Sequence, residues 1–331
     1  MAVTKPIRVA VVGLGKIARD QHLPAIAGDE RYSLAATVSP DDPALAGIPH
    51  HSSLATLLAA RPALDAVVLC TPPQVRYELA MLALARGLHV FLEKPPGATV
   101  CEVETLREEA GRRGTTLFAG WHSRFAPAVA PARAWLAAAR IRRVTVTWRE
   151  DVRTWHPGQG WIWEPGGLGV FDPGINALSI LTHVLPRPFV LTGARLAFPA
   201  NRAAPIAAAL TFQDTAGVPI LMDLDWRQSG PPIWDIIVET DVGTLKLQSG
   251  GALLSAPAGP EPAGTKPAGA EPAGAEPAGA RYAEAREYPS LYERFATLIH
   301  DRSSEVDARP LQLVGDAFLC ARRESVAAFH D

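Results

Sequence analysis

Over the first 120 residues, short unbroken apolar runs alternate with stretches of helical period. Ile7–Val12 is apolar throughout and ends in Gly13-Leu14-Gly15, with a helix predicted from about Lys16. Pro24 should kink or restart that helix, because it has no amide proton and its ring crowds the preceding turn. Ser33–Val38 predicts a second strand, and Ser52–Ala60 a short helix opened by a serine cap. Asp65–Cys70 reads as a fully buried strand stopped by Thr71-Pro72-Pro73. Val75–Arg86 predicts an amphipathic helix that ends at Gly87. His89–Leu92 is another strand, closed by Glu93-Lys94-Pro95-Pro96, and is followed by a helix over Val100–Arg113 and a strand over Thr115–Ala119. Apolar strands alternating with helices predict an α/β unit built on a doubly wound parallel sheet.

The rest of the chain has a different texture. Phe125–Ala139 is helical, Ile141–Glu150 alternates as a strand, and Val170–His183 is again helical. Longer strands follow at Val190–Phe198, Ile206–Phe212, Val218–Trp226, Trp234–Glu239 and Thr244–Leu247. Turn-rich joints such as Asp214-Thr215-Ala216-Gly217 and Asp241-Val242-Gly243 connect them. The expectation is an α+β domain with a large, mostly antiparallel open sheet. Two helices, Ser290–Arg302 and Pro310–His330, close the chain, the last one able to pack back on the first domain. The boundary is expected after residue 121, giving domains 1–121 and 122–331.

Composition changes this picture in one place. The chain has 27 glycines and 30 prolines in 331 residues. Part of that excess lies in Pro257–Arg281, where PAG recurs every five residues. Each proline removes a donor, each glycine adds backbone entropy, and no unit carries a large apolar side chain. The segment reads as a solvated, semi-extended loop, a tolerated expansion rather than a core element. The net charge of −2 gives no chain-wide grip on nucleic acid. Cys70, Cys101 and Cys320 are scattered, with no C-x-x-C pair and no zinc spacing, so no metal is expected and the thiols suit a reducing cytoplasm. No apolar run approaches the ~20 residues of a membrane span. Lys5 and Arg8 before an apolar stretch suggest a leader, but the stretch is short and runs straight into Gly13, so it reads as a buried strand.

Three motifs carry chemistry. Gly13-x-Gly15-x-x-Ala18 follows a strand and opens a helix. Gly13 permits the tight turn, Gly15 admits a pyrophosphate close to the backbone, and Ala18 lets helix and strand pack. With Lys16 and Ile17 these residues would place helix-start amides on a phosphate, and Thr71, Pro72, Glu93 and Lys94 fall at the same sheet edge. This is the signature of a Rossmann-type dinucleotide-binding domain, with residues 122–331 left for substrate and assembly. At the tip of the second strand, where a carboxylate would hold the ribose hydroxyls of NAD, stands Ser39. Asp41 and Asp42 are close and no arginine follows, so NADP or NAD remain open, with NADP favoured. Glu93-Lys94-Pro95 ends a parallel strand, where a lysine can exchange protons near neutrality once partly buried. Gly166-Gly167-Leu168-Gly169 then leads into Asp172 and Asn176, four apart on one helical face, with the glycines expected to admit a ligand.

In this order the three motifs resemble the Gfo/Idh/MocA oxidoreductase family, over nearly the whole chain except the repeat. Within it the chain is most similar to bacterial aldose 1-dehydrogenases acting on L-arabinose, D-galactose or D-fucose. The residues that carry this are Glu93-Lys94-Pro95-Pro96, Gly120-Trp121-His122-Ser123-Arg124-Phe125, Trp148-Arg149-Glu150-Asp151, Trp155-His156-Pro157 and Trp161-Ile162-Trp163. The resemblance implies NAD(P)-dependent oxidation of a sugar at C1, with no nucleic-acid or membrane partner. Asn176 stands where the broader family has histidine. It cannot titrate, which leaves proton transfer to Lys94 or Asp172, with Lys94 favoured. Glu150 and His156 are implied as sugar ligands, Trp155 and Trp234 as apolar ring faces, and His122 as a residue near the cleft. The resemblance also implies that the open sheet face can take a second copy of the chain. A dehydrogenase of another polyol, cyclitol or dihydrodiol, or a non-catalytic sensor of sugar or dinucleotide, are the competing readings.

Overall fold

A computed structural model describes residues 5–40, 44–60, 63–257 and 286–330. Nearly all of the PAG repeat, and Asp41 and Asp42, lie outside the described residues.

The first strand, β1 (Ile7–Val12), is buried through Val9, Ala10 and Val11. The helix after Gly15 then widens. Over Ala18–His22 it is a π-turn, and the Leu23 N–H reaches back to the Ala18 carbonyl. Helix α1 (Leu23–Ala27) follows with Pro24 in its first turn. Proline cannot donate backwards, so the wide turn absorbs the mismatch and the helix restarts, as the sequence suggests. Next come β2 (Tyr32–Val38), β3 (His50–His51) and α2 (Leu54–Ala59), which Ser53 and Thr56 cap reciprocally. The alternation continues through β4 (Ala66–Leu69), α3 (Pro73–Leu84), β5 (His89–Glu93), α4 (Val100–Arg113) and β6 (Leu117–Gly120). All six strands pair in parallel in the order β3-β2-β1-β4-β5-β6. The order reverses between β1 and β4, and the ends of those strands are where an open α/β sheet takes its ligand. Ala10, Val12, Val67, Leu69, Val90 and Leu92 of the sheet pack with Leu84 and Leu106 of the helices.

The second unit begins with a 3-10 turn at the boundary and α5 (Val129–Ala137). It continues through β7 (Ile141–Arg149), the one-turn α6 (Val152–Trp155) and α7 (Phe171–Val184). Strands β8 (Phe189–Pro199), β9 (Ala207–Asp214), β10 (Pro219–Asp225), β11 (Ile233–Thr240), β12 (Gly243–Gln248) and β13 (Leu253–Ser255) follow. Helices α8 (Glu287–His300) and α9 (Arg309–Cys320) precede a last strand, β14 (Arg322–Val326). The sheet order is β13-β12-β11-β7-β10-β9-β8-β14. Its pairs are antiparallel except β7 with β10 and β8 with β14. Helix α7 presses closely on this sheet: a Cβ at Gly174 would stand 2.5 Å from Leu224 Cδ1.

Two features differ from expectation. The last helix does not run to His330. It stops at Cys320, and Arg322–Val326 adds a parallel edge strand beside β8. The buried positions Leu311, Leu313, Val314 and Ala317 keep the helix on the core, and beyond them Arg322-Arg323-Glu324-Ser325 has only exposed side chains, which suit a charged sheet edge. The second difference concerns which helix returns to the first unit. The chain separates into Met1–His122 with Glu287–Leu311, and Ser123–Arg286 with Gln312–Asp331. It is therefore α8 that belongs with the parallel sheet, through Tyr288, Leu291, Tyr292, Phe295 and Leu298, while most of α9 belongs to the second unit. No described helix is long and apolar enough to cross a membrane.

Two of the glycines before α7, Gly167 and Gly169, make room for the chain's own backbone. A Cβ on Gly167 would lie 2.3 Å from the Trp161 carbonyl oxygen and 2.6 Å from that of Ile162. Gly169, at φ +53°, would meet the Pro205 oxygen at 2.3 Å. Main chain cannot yield as a side chain can, so Gly167→Ala should cost about 1–3 kcal/mol. Gly160→Ala, whose Cβ meets nothing within 4 Å, should be near neutral. Urea midpoints of the two variants, measured side by side, check this.

Candidate active site

The first unit supplies the dinucleotide edge. Gly13 sits at φ +88°, and a Cβ there would be 3.1 Å from the main chain of Cys70 and Thr71, so only glycine fits the turn. At Gly15 a Cβ would enter open space, a cradle at the helix start. Ala18 is fully buried, as close helix–strand packing requires. Ile17 is 37% exposed, and the Lys16 ammonium is paired with Asp20. The backbone of Lys16 and Ile17, rather than their side chains, is thus what a phosphate would meet. Thr71 follows β4, and its hydroxyl is buried with no hydrogen-bond partner among the described residues. Ser39 is buried at the end of β2, and its N–H donates to the His51 carbonyl at 3.1 Å. A glycine cradle, open helix-start amides and an orphaned hydroxyl fit a nicotinamide dinucleotide, which Gly13, Gly15, Thr71, Pro72 and Ser39 would hold.

Beneath Lys94 lies a buried polar network. Strand β5 ends on Glu93, whose carboxylate is only 3% exposed in residue terms. Glu93 Oε1 accepts from the Tyr288 hydroxyl at 2.8 Å and lies 3.0 Å from His22 Nε2. Its Oε2 accepts the Lys94 N–H at 2.8 Å. His22 Nδ1 meets the Tyr292 hydroxyl at 2.9 Å. Burial pushes the Glu93 acid upward, but the His22 hydrogen bond and the charges of His22, His122 and Lys94 outweigh it and bring it to about 2. The Glu93 carboxylate, expected at the cofactor, is therefore turned to protein partners, and Lys94 is half-buried directly above it. His122 stacks on Tyr288 with ring centroids 5.5 Å apart, and its Nδ1 is 2.5 Å from Glu287 Oε2. Burial lowers its pKa, but the Glu287 hydrogen bond and charge overcome this and raise it.

The second unit supplies a cluster of carboxylates and indoles. Glu150, just past β7, is buried, and its two oxygens accept from Trp226 Nε1 at 3.2 Å and Trp234 Nε1 at 2.8 Å. His156 Nε2 lies 3.6 Å from both Glu150 Oε1 and Asp172 Oδ2. Asp172, in the first turn of α7, is also buried. Asn176 is half-buried one turn on. Trp155 is 41% exposed and meets Trp234 edge-to-face at 5.0 Å. Carboxylates, an imidazole and an amide beside indole faces form a surface able to bond several hydroxyls while covering C–H patches. Among the described residues no group of three or more His, Cys, Asp or Glu side chains is arranged so that it could hold a metal ion.

Galactose 1-dehydrogenase of Pseudomonas fluorescens is 42% identical over 99% of this chain and all of its own length. The family model "Oxidoreductase family, NAD-binding Rossmann fold" matches residues 7–121. The chain belongs to the Gfo/Idh/MocA oxidoreductase family. D-galactose-1-dehydrogenase from Rhizobium etli superposes over both whole chains with a TM-score of 0.87 and 50% identity. A 3-ketoreductase from Actinomadura kijaniata, solved with TDP-benzene and NADP, shares the fold at 18% identity, with a TM-score of 0.79 over 97% of this chain and 100% of its own. As in the family, the first unit is an NAD-binding Rossmann fold and the second a mostly antiparallel mixed sheet.

Several residues that build these clusters carry no motif in the sequence. His22 sits in the π-turn and Trp226 just after β10. Tyr288 and Tyr292, spaced by four with Leu291 and Phe295, mark a buried helix face, although their partners are set by tertiary contact. The low Glu93 pKa has a consequence for stability. A depressed acid contributes stability above its unfolded value of about 4.5 and loses it as pH falls towards 2. The stability gap between the native chain and Glu93→Gln should therefore be wide at pH 7 and narrower at pH 3, as urea unfolding at the two pH values would measure.

Proposed function

We propose that this chain is an NAD(P)-dependent aldose 1-dehydrogenase that oxidises the C1 hydroxyl of D-galactose, and of L-arabinose and D-fucose, to the lactone. The observation that carries this reading is full-length similarity to two galactose 1-dehydrogenases, at 42% and 50% identity. The Glu150–His156–Asp172 cluster supports it, because a ring with several hydroxyls needs several fixed acceptors and donors. Those three sugars share ring stereochemistry from C2 to C4, so one set of acceptors serves all of them.

When bound, the nicotinamide supplies the hydride acceptor. Lys94 accepts the C1 hydroxyl proton. Its backbone is pinned by Glu93, so the amine is presented from a fixed strand end. Glu150, oriented by two indole donors, accepts hydroxyl hydrogen bonds, and His156 joins it. Asp172 and Asn176 orient the sugar from one face of α7, and Asp172 is the alternative proton acceptor to Lys94. Trp155 and Trp234 cover the apolar side of the ring, and His122 acts through its stack on Tyr288. Ser39 leaves room for a 2′-phosphate, which favours NADP over NAD. A reducing cytoplasmic setting suits the three free cysteines, and the open face of the second sheet suits a second copy of the chain.

Purified protein mixed with D-galactose, L-arabinose or D-fucose and either nucleotide should reduce the nucleotide, followed by its absorbance. Turnover with a cyclitol but with no aldose would replace this reading. Lys94→Ala should lower kcat by about 10²-fold or more while nucleotide binding persists; near-normal turnover would remove Lys94 from the role. Ser39→Asp should turn preference towards NAD, read as the ratio of kcat/KM for the two nucleotides.

A further inference from the structure

We propose that Arg76 is the positioning residue for the base: its guanidinium, seated on the main-chain carbonyls of Thr71, Glu93 and Pro95, fixes the backbone on both sides of Lys94. Arg76 lies in the first turn of α3, behind Pro73, and is 2% exposed. One terminal nitrogen donates to Glu93 O and Pro95 O, and the other to Thr71 O.

The reason for an arginine here lies in the sheet. Pairing between β4 and β5 ends at Leu69 with Leu92. Past that pair the chain runs into the Thr71–Pro72 turn and the Glu93–Pro95 turn, and the β4–β5 ladder no longer offers their carbonyls amide donors. The planar fork of a guanidinium spans both. It continues the hydrogen bonding of the sheet one step beyond its last strand pair. Lys94 is then held through its own N–H on Glu93 Oε2 and through the carbonyls that flank it. The point from which the four-carbon stem of Lys94 starts is thereby fixed. The same guanidinium fixes the turn that carries the unpartnered Thr71 hydroxyl.

Arg76 does not belong to the apolar core of the first unit, which Val67, Leu69, Val90 and Leu92 make without it. Its carbonyl acceptors lie past the last β4–β5 pair, in the two turns rather than in the ladder beneath them. Losing the guanidinium should therefore loosen the two turns while the sheet stays folded. A base misplaced by about 1 Å costs on the order of 10²-fold in rate.

The role rests on the reading of Lys94 as proton acceptor, so the test has one arm independent of turnover. Arg76→Lys keeps charge and stem but cannot span two strand ends, and Arg76→Gln keeps a planar donor at shorter reach. Hydrogen exchange followed by mass spectrometry should be faster in segments 69–76 and 90–98 of both variants and unchanged in β1, β6 and α4. With C1-deuterated D-galactose and NADP, kcat should fall about 10²-fold and its isotope effect should rise, while KM and nucleotide Kd change little. Exchange that quickens evenly through the chain with an unchanged isotope effect would reduce Arg76 to a general stabiliser and overturn the proposal. Unchanged exchange at 90–98 in Arg76→Lys would overturn it as well. If the unsubstituted chain leaves every aldose untouched, the dehydrogenase reading fails, and the exchange arm still decides whether Arg76 holds the Lys94 turn.

Discussion

The buried Glu93 carboxylate is the interaction on which the dinucleotide edge of this molecule depends. An ionised acid removed from water costs several kcal/mol unless each lone pair is matched. Here the matches come from three separate parts of the first unit. His22 comes from the π-turn after the glycine loop, Tyr288 from α8, and the Lys94 N–H from the residue that follows. One anion thus ties the nucleotide helix, the end of β5 and a helix nearly 200 residues away in sequence into a single arrangement. Removing any donor leaves an under-satisfied charge, so the network either holds together or distorts as a unit. The backbone of Lys94 inherits its position from this requirement.

The second unit solves a similar problem differently. Glu150 is as buried as Glu93, yet its partners are two indole N–H groups rather than a histidine and a phenol. An indole donates a hydrogen bond without titrating. The carboxylate is oriented, but it keeps lone pairs for a hydroxylated ligand. His156 stands 3.6 Å from Glu150 and from Asp172, beyond hydrogen-bond distance of either. That spacing suits groups that close around a ligand more than groups whose bonding is complete. Trp234, one of those indoles, is only half-buried and also presents a ring face, so one residue gives both polar direction and apolar cover.

Legibility in the sequence divides along physical lines. Strand and helix order was readable because period and turn chemistry are local, and Val100–Arg113 is a helix over its expected length, with Thr99 and Glu102 closing its start and Gly114 its end. The glycine loop and the Glu93–Pro96 segment were readable because each needs particular residues in a row. The final strand was not, since Arg322–Val326 is defined by the edge of β8 that it covers. Arg76 was not, because nothing in Val75-Arg76-Tyr77 distinguishes a solvated arginine from one seated on three carbonyls. The glycines before α7 were expected to admit a ligand, whereas at Gly167 and Gly169 it is the chain's own carbonyls that take the space. A missing Cβ can make room for a ligand or for the chain itself, and only the positions of the Trp161, Ile162 and Pro205 carbonyls tell these apart.

The same contrast explains how the molecule separates stability from chemistry. At Gly13 and Gly167 the missing Cβ is needed by the protein's own main chain, so those glycines secure the fold. At Gly15 the Cβ would meet nothing, so the fold gains nothing from glycine there and gives up backbone entropy to keep it. The Thr71 hydroxyl is buried without a hydrogen-bond partner among the described residues, a second local cost. Both costs fall at the C-terminal edge of the parallel sheet, within a few residues of the β1–β4 reversal. The sheet beneath is apolar and buried from Ala10 to Leu92 and can carry them. Unrelieved costs of this kind gathered at one edge of a well-packed sheet are what a binding site leaves behind, because the ligand provides the compensating contacts. Gly15 and Thr71 therefore point to the same nucleotide site by energetic reasoning that is independent of the glycine motif.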